Sequence, residues 1–382
     1  MREYYLDNSS TTKIDEVVLE EMVNVYKNEY GNPSSLHSLG LRTEKIINNS
    51  KTIIAEFIGS DRGEIFFTGG GTESNNIVIS SALKSAKNND NIVISKFEHP
   101  SVYESAFQLI NKDVEVRIVE IDRNGYIDED DFSSKIDENT ILISMMLVNN
   151  ELGTIQNIEK LCRKAKAINK DVLFHSDAVQ AFGKIKINVK TLGIDYMTFS
   201  SHKISGPQGV GGLYIKKSSK IIPLMYGGKQ EKAIRPGTEN VAGIAGFGKA
   251  TEIIASDFNE YVRILRDIKS DFVCEFEKSI KNIKINSSDK GAPHIFNVSV
   301  FGIRAEILLH YLEMKKIFIS TGTTCSSKAK KENRVLSAIG LTDDEIQSTI
   351  RISFGINNNI EDNKYLINEF INIIDEIRKI MK

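Results

Sequence analysis

The chain reads as an α/β protein built on a mostly parallel sheet, with a smaller α+β part after it. Three observations predict this. Short β-branched runs alternate with longer helical patterns as far as Ile215, which calls for crossover connections. The polar residues best suited to chemistry fall just after the strands, where open α/β sheets place their ligands. After Arg235 the texture changes to long helices and isolated short strands.

In order, Glu64–Thr68 reads as a strand and Ser74–Lys87 as a helix. Ile92–Ser95 is a strand, Ser101–Asn111 a helix and Glu115–Glu120 a strand. Thr140–Met145 continues the sheet, followed by a helix at Ile158–Asn169 and strands at Val172–Ser176, Tyr196–Ser200 and Gly212–Ile215. Val241–Ala255 is helical, with small residues at Gly243, Gly246 and Gly248, and a long amphipathic helix follows through Ser279. Short strands are expected at Ile283–Asn286, Ile295–Val300, Phe318–Ser320 and Thr349–Ser353, with helices at Ala305–Met314 and Ile360–Ile380. A length of 382 residues suits two or three domains at roughly 100–200 residues each. The expected division is a large domain over 15–255 and a smaller one joining 1–14 to 256–382.

Composition narrows the function classes. Hydrophobic residues make up 41% and charged residues 26%, as in ordinary globular chains. The net charge of −2 leaves no basic excess for nucleic acid or an anionic membrane. No apolar stretch approaches the roughly 20 residues of a membrane span, and the first residues have no signal-peptide core. Three cysteines, Cys162, Cys274 and Cys325, are unlike a disulfide framework. The expectation is a reduced, cytoplasmic protein. Collagen, coiled-coil, mucin, zinc-ribbon and secreted-knot readings are excluded.

Four stretches carry the chemistry. Phe67-Thr68-Gly69-Gly70-Gly71-Thr72-Glu73-Ser74 runs from a strand through glycines into a helix. Free backbone N–H groups at a helix start make an anion site, and Thr72 adds a hydroxyl; a plain tight turn reads equally well from this stretch alone. Phe174-His175-Ser176-Asp177 ends an apolar strand on a carboxylate, costly to bury without a cation. A protonated pyridine nitrogen would serve, and a helix N-cap is the plainer reading. Ser200-Ser201-His202-Lys203 puts a lysine between two apolar strands, where a desolvated amine can form a Schiff base. Ser200 and His202 supply phosphate donors beside it; the plainer reading is a snorkelling surface lysine. Ser320-Thr321-Gly322-Thr323-Thr324-Cys325-Ser326-Ser327-Lys328 sets a thiol in small polar residues, with Lys328, Lys330, Lys331 and Arg334 favouring a thiolate. Cys162 and Cys274 sit in amphipathic helical patterns and read as buried small hydrophobes.

Two further signals are Arg351, whose planar fork suits a carboxylate, and Glu98-His99-Pro100, which brings an imidazole near the same sheet edge. A surface ion pair and a structural histidine are the plainer alternatives. No metal centre is expected. There is no His-Glu-x-x-His or Cys-x-x-Cys, the six histidines are dispersed, and no Gly-x-Ser-x-Gly elbow suggests a serine hydrolase.

These motifs, in this order, resemble the cysteine desulfurases of the class V aminotransferases, pyridoxal-phosphate enzymes of fold type I. The resemblance runs nearly end to end. It includes Tyr5-Leu-Asp-Asn-Ser-Ser-Thr-Thr, Gly31-Asn-Pro-Ser-Ser, the Gly-Thr-Glu-Ser-Asn-Asn stretch and Val148-Asn-Asn-Glu-Leu-Gly. His175-Ser-Asp-Ala-Val-Gln, Ser200-Ser-His-Lys, Arg235-Pro-Gly-Thr-Glu-Asn and the Cys325 stretch complete it. The group I branch, which serves iron–sulfur clusters and tRNA thiolation, is the nearer match.

The resemblance implies a role for each matching residue. Lys203 holds pyridoxal 5′-phosphate covalently, Asp177 pairs with its pyridine nitrogen, Gln180 bonds the ring hydroxyl and His99 stacks on the ring. Gly71, Thr72, Ser200 and His202 bind the phosphate, joined by Thr238 of the partner subunit in a homodimer. Asn150 and Arg351 hold the substrate carboxylate. The Cys325 thiolate takes the sulfur of L-cysteine as a persulfide, leaving alanine, and passes it to an iron–sulfur scaffold or a tRNA-thiolation enzyme. No membrane and no direct nucleic-acid contact are expected. The nucleophile stretch departs from the branch signature Ser-Ser-Gly-Ser-Ala-Cys-Thr-Ser at the bulkier Thr323 and Thr324. The competing readings are another pyridoxal-phosphate lyase or aminotransferase, such as a selenocysteine lyase, and a non-catalytic scaffold of the same fold.

Overall fold

A computed structural model describes residues 2–108, 114–322 and 333–380. Its centre is a seven-stranded sheet in the order Ile65–Thr68, Gly211–Ile215, Tyr196–Ser200, Leu173–Asp177, Thr140–Ser144, Asn91–Ser95 and Glu115–Val119. Only Gly211–Ile215 runs antiparallel to its neighbours; the other pairings are parallel. The central strands are buried on both faces, which is why they read as continuous apolar runs. One core cluster includes Phe67, Phe97, Phe174, Phe182, Phe199 and Phe247. Another includes Phe66, Ile77, Val78, Ile92, Ile94 and Leu213.

Helices Gly71–Ser85, Pro100–Gln108, Ile158–Ile168 and Val241–Ser256 lie close to the expected spans. Beyond them, helices Glu16–Asn28 and Ser38–Ile58 occupy residues to which the sequence reading assigns nothing. In the first, only Val18 and Val25 are buried, while Val17, Leu19, Val23 and Tyr26 are exposed. No single apolar stripe marks it. Both helices pack on Val241–Ser256, where a side chain at Gly248 would strike Ser50, so the small residues there serve close approach.

The C-terminal part holds an antiparallel sheet in the order Ser320–Thr321, Thr349–Ser353, Ile295–Val300 and Ile283–Ile285. Its own core joins Leu6 to Phe272, Phe276, Phe296, Phe354 and Phe370. The expected strand Phe318–Ser320 is instead two. Ile317–Phe318 pairs with Tyr4–Tyr5, and Ser320–Thr321 pairs with Thr349–Ser353. Residues Val335–Ile346 contribute to the core that contains Phe199 rather than to the one around Phe272. Cys162 is buried as expected, its thiol donating to Gly193 O at 3.2 Å and pushed up to about 11 by burial. Cys274, expected buried, is exposed on helix Phe258–Ser279. No helix among the described residues is long and apolar enough to cross a membrane.

Candidate active site

Six like-directed strands deliver their carboxyl ends to one edge of the large sheet, and a cavity of about 420 Å³ opens there. It is lined by Gly71, Thr72, His99, Asn150, Asp177, Gln180, Ser200, His202, Lys203 and Arg351, together with Ser9, Asn75 and Ser101. Residues from five separate strand ends thus converge as the order of elements implies. Thr238 is exposed and does not line it. Cys325 lies outside the described residues.

The glycine turn is built for close approach. Gly70 adopts φ 153°, a conformation L side chains rarely take, and a Cβ on Gly71 would stand 2.7 Å from Val179 Cγ2. Helix Gly71–Ser85 starts at once, so its first N–H groups and dipole face the cavity mouth. Glu73 fixes the turn, accepting from Gly69 N–H at 2.9 Å and from Arg235 Nε at 3.0 Å. Beside it, Ser200 Oγ is buried without a hydrogen-bond partner. His202 accepts or donates to Thr11 Oγ1 through Nδ1 at 3.1 Å, and burial, with the Lys203 charge, pulls its pKa down to about 4.

Asp177 is 3% exposed at the end of its strand. Its donors are neutral: Asn75 Nδ2 at 2.7 Å and Val179 N–H at 2.9 Å. Among the described residues no cation pairs with it. The Val179 bond is the turn-forming contact of the plainer reading, yet it leaves the carboxylate facing the cavity. Lys203 Nζ donates to Ser9 O and Ser10 O, each at 2.6 Å. Burial, reinforced by Arg351, lowers its pKa to about 8 against the pull of Asp7 and Asp177.

His99 Nδ1 accepts from Ser101 N–H at 3.1 Å and lies 2.7 Å from Ser101 Oγ. Burial holds the imidazole below its ordinary pKa, against Asp177 and with Lys203 and Arg334. Gln180 Nε2 donates to Ser9 O at 2.8 Å, and His294 Nε2 stands 3.3 Å from its Oε1. The Arg351 fork is partly engaged: Nη2 bonds Asp7 Oδ1 and Ser10 Oγ at 2.8 Å, Nη1 bonds Asn150 O at 3.0 Å, and Nε is buried without a partner.

Sequence reasoning singled out none of Asp7, Ser9, Ser10, Asn75, Ser101 or His294. Asp7, Ser9, Ser10 and Asn75 fall inside stretches quoted above, but only contact reveals their part. The N-terminal residues wrap over the site through Asn8 Nδ2 to Ser353 O at 2.9 Å and Thr12 Oγ1 to His202 O at 2.9 Å. On the far side, Asn333 donates to Gly322 O and, at 2.7 Å, to Glu151 Oε2. Arg334 stacks 3.5 Å from the centre of the Tyr103 ring and bonds Lys96 O and Glu98 O. Glu98 itself is pushed up to about 8 by burial, its Oε1 accepting from Met146 N–H at 2.7 Å.

These residues fit pyridoxal phosphate. A buried carboxylate lacking a cation suits a protonated pyridine nitrogen. A bare serine hydroxyl at a glycine-led helix start suits a phosphate. A desolvated amine suits an aldehyde carbon.

Comparison with known proteins points the same way. The aminotransferase class-V family model matches residues 4–366. A protein named cysteine desulfurase IscS from Dictyoglomus turgidum is 39% identical over 99% of this chain and 96% of its own. Cysteine desulfurase IscS 1 of Archaeoglobus fulgidus is 37% identical over 98% and 97%. A solved NifS-like protein superposes with a TM-score of 0.92 at 34% identity, covering 98% of this chain and 100% of the other. A structure described as SspA in complex with cysteine gives 0.78 at 31%, covering 92% and 99%. The chain therefore belongs to the aminotransferase class-V family, among its pyridoxal-phosphate-dependent cysteine desulfurases.

Proposed function

We propose that the cavity at the sheet edge converts L-cysteine to L-alanine, with Lys203 and Cys325 as its reacting groups. The observation that carries this reading is the buried, cation-free carboxylate of Asp177 sharing a cavity with the desolvated amine of Lys203. Pyridoxal phosphate supplies there an aldehyde carbon and a ring that absorbs the charge left when the substrate Cα loses its proton. Gly71, Thr72, Ser200 and His202 would hold the phosphate, Asp177 the ring nitrogen and Gln180 the ring hydroxyl, with His99 beside the ring. Lys203, its amine lowered by burial, would take the Cα proton of the bound substrate and return it to complete alanine. Asn150 and the bare Nε edge of Arg351 hold the substrate carboxylate. The Cys325 thiolate attacks the substrate sulfur; an S–S bond forms, the C–S bond breaks, and Cβ takes up a proton. The products are alanine and a persulfide on Cys325, which stands three residues beyond Gly322 in the chain.

The finer assignments are part of the same proposal. The acceptor is a protein of iron–sulfur assembly or tRNA thiolation, and the setting is cytoplasmic, in keeping with the free thiols of Cys162 and Cys274 among the described residues. The division into 15–255 and 1–14 with 256–382 is supported by the separate core around Leu6 and Phe272, from which Val335–Ile346 departs by packing in the larger core. A homodimer is supported by exposed apolar side chains at Tyr26, Tyr30, Leu36, Leu41 and Tyr226. It is supported too by Thr238 lying away from its own cavity, where a partner's phosphate site could receive it.

The test is Cys325→Ala. It is expected to retain the visible band of the bound cofactor while persulfide formation from cysteine is lost. Unchanged sulfide release by this variant would transfer the case to another lyase of the family.

A further inference from the structure

Asp177 and His99 belong to different elements, one ending a strand and the other in the turn before helix Pro100–Gln108. A single amide joins them. Asn75 Nδ2 donates one hydrogen to Asp177 Oδ2 at 2.7 Å and the other to Ser101 Oγ at 2.8 Å. With that lone pair taken, the Ser101 hydroxyl is free to donate to His99 Nδ1, 2.7 Å away, which also receives Ser101 N–H. Asn75 is 1% exposed, and its Oδ1 is buried without a partner. Rotating the amide would turn that oxygen onto the Asp177 carboxylate, so electrostatics fixes the orientation. The side chain gives up its acceptor to direct two donors.

We propose that Asn75 is a positioning residue that couples Asp177 to His99. It holds the carboxylate in place and, through Ser101, fixes His99 as the tautomer protonated at Nε2, so the imidazole offers an N–H donor to the cavity. The inference rests on the assignment of Asp177 and His99 to the cofactor site. Other charged groups acting on the imidazole are Lys203 and Arg334, and neither reaches Nδ1 in place of Ser101.

The experiment uses full-length protein, with the cofactor removed and then added back. Asn75→Ala is expected to weaken pyridoxal-phosphate affinity by about tenfold or more, as for a lost hydrogen bond to a charged group. Ser101→Ala keeps the Asp177 contact and should hold affinity within about twofold. Both variants should raise the Nδ1-protonated share of His99 in imidazole nitrogen chemical shifts of the cofactor-free protein, because the Ser101 N–H alone is then left to hold Nδ1 as an acceptor. Wild-type tautomer and affinity in Asn75→Ala would overturn the proposal. If Asn75→Ala does not fold, an unchanged His99 tautomer in Ser101→Ala overturns it alone. Failure of the underlying site assignment looks different: Asp177→Ala would then bind the cofactor as tightly as wild type.

Discussion

Two backbone carbonyls grip the amine of Lys203, and burial brings its pKa to about 8 from 10.5. Only the unprotonated amine attacks an aldehyde. The rate at which cofactor-free protein captures pyridoxal phosphate is therefore expected to climb between about pH 7 and pH 9 and level off above, followed by the growing visible band. A plateau already reached at about pH 6 would contradict the assignment. The same shift acts on folding. The unfolded chain keeps this proton up to 10.5, so burying the amine costs stability below 8, and that cost fades as pH rises from 8 to 10.5. His175 illustrates the opposite use of burial. Satisfied by Ser144 Oγ at 2.8 Å and Thr198 Oγ1 at 3.0 Å and held near 3, it is a neutral strut of the sheet.

At the scale of elements, the second core depends on aromatic contact. Phe272 faces Phe276, Phe296, Phe354 and Phe370 with ring centres 5.4–6.2 Å apart. Phe272→Ala is expected to cost about 3–5 kcal/mol in urea unfolding followed by far-UV circular dichroism. A loss below about 1 kcal/mol would mean that this cluster contributes little. Parallel strands such as Asn91–Ser95 and Tyr196–Ser200 were legible because burial on both faces leaves an apolar run that admits few other readings. The strand-end residues followed from that frame, since Thr72, Asp177 and Lys203 each sit where a parallel strand stops. Helix Glu16–Asn28 was not legible, because much of its apolar surface faces outward. Cys274 misled for a related reason: an amphipathic pattern assigns a face only to within a turn. The Asp7–Arg351 ion pair and the Asn75 bridge span 344 and 102 residues, and no local pattern announces contacts at that separation.

For the whole molecule, the outward apolar side chains set the next expectation. Leu36 is 94% exposed and Tyr226 80%. Scattered exposed apolar residues are ordinary, but a concentration over 17–41 is what an interface leaves on an isolated chain. Sedimentation velocity at micromolar concentration is expected to find two chains per particle. Leu36→Glu combined with Tyr226→Glu should shift it to one chain and, on the proposal that Thr238 serves the phosphate site of a partner subunit, weaken cofactor binding. A wild-type monomer with full cofactor affinity would refute both points.

The bond from Asn333 to Gly322 has a consequence for how such a protein can diversify. It ties together two residues eleven positions apart in the chain, and Asn333 also donates to Glu151 while Arg334 rests on the Tyr103 ring. With both anchors held, a change in the number of residues between them need not alter the register of Ser320–Thr321 on Thr349–Ser353. The length of the stretch that carries Cys325 is thus open to change by descent while the cavity at the sheet edge is inherited intact.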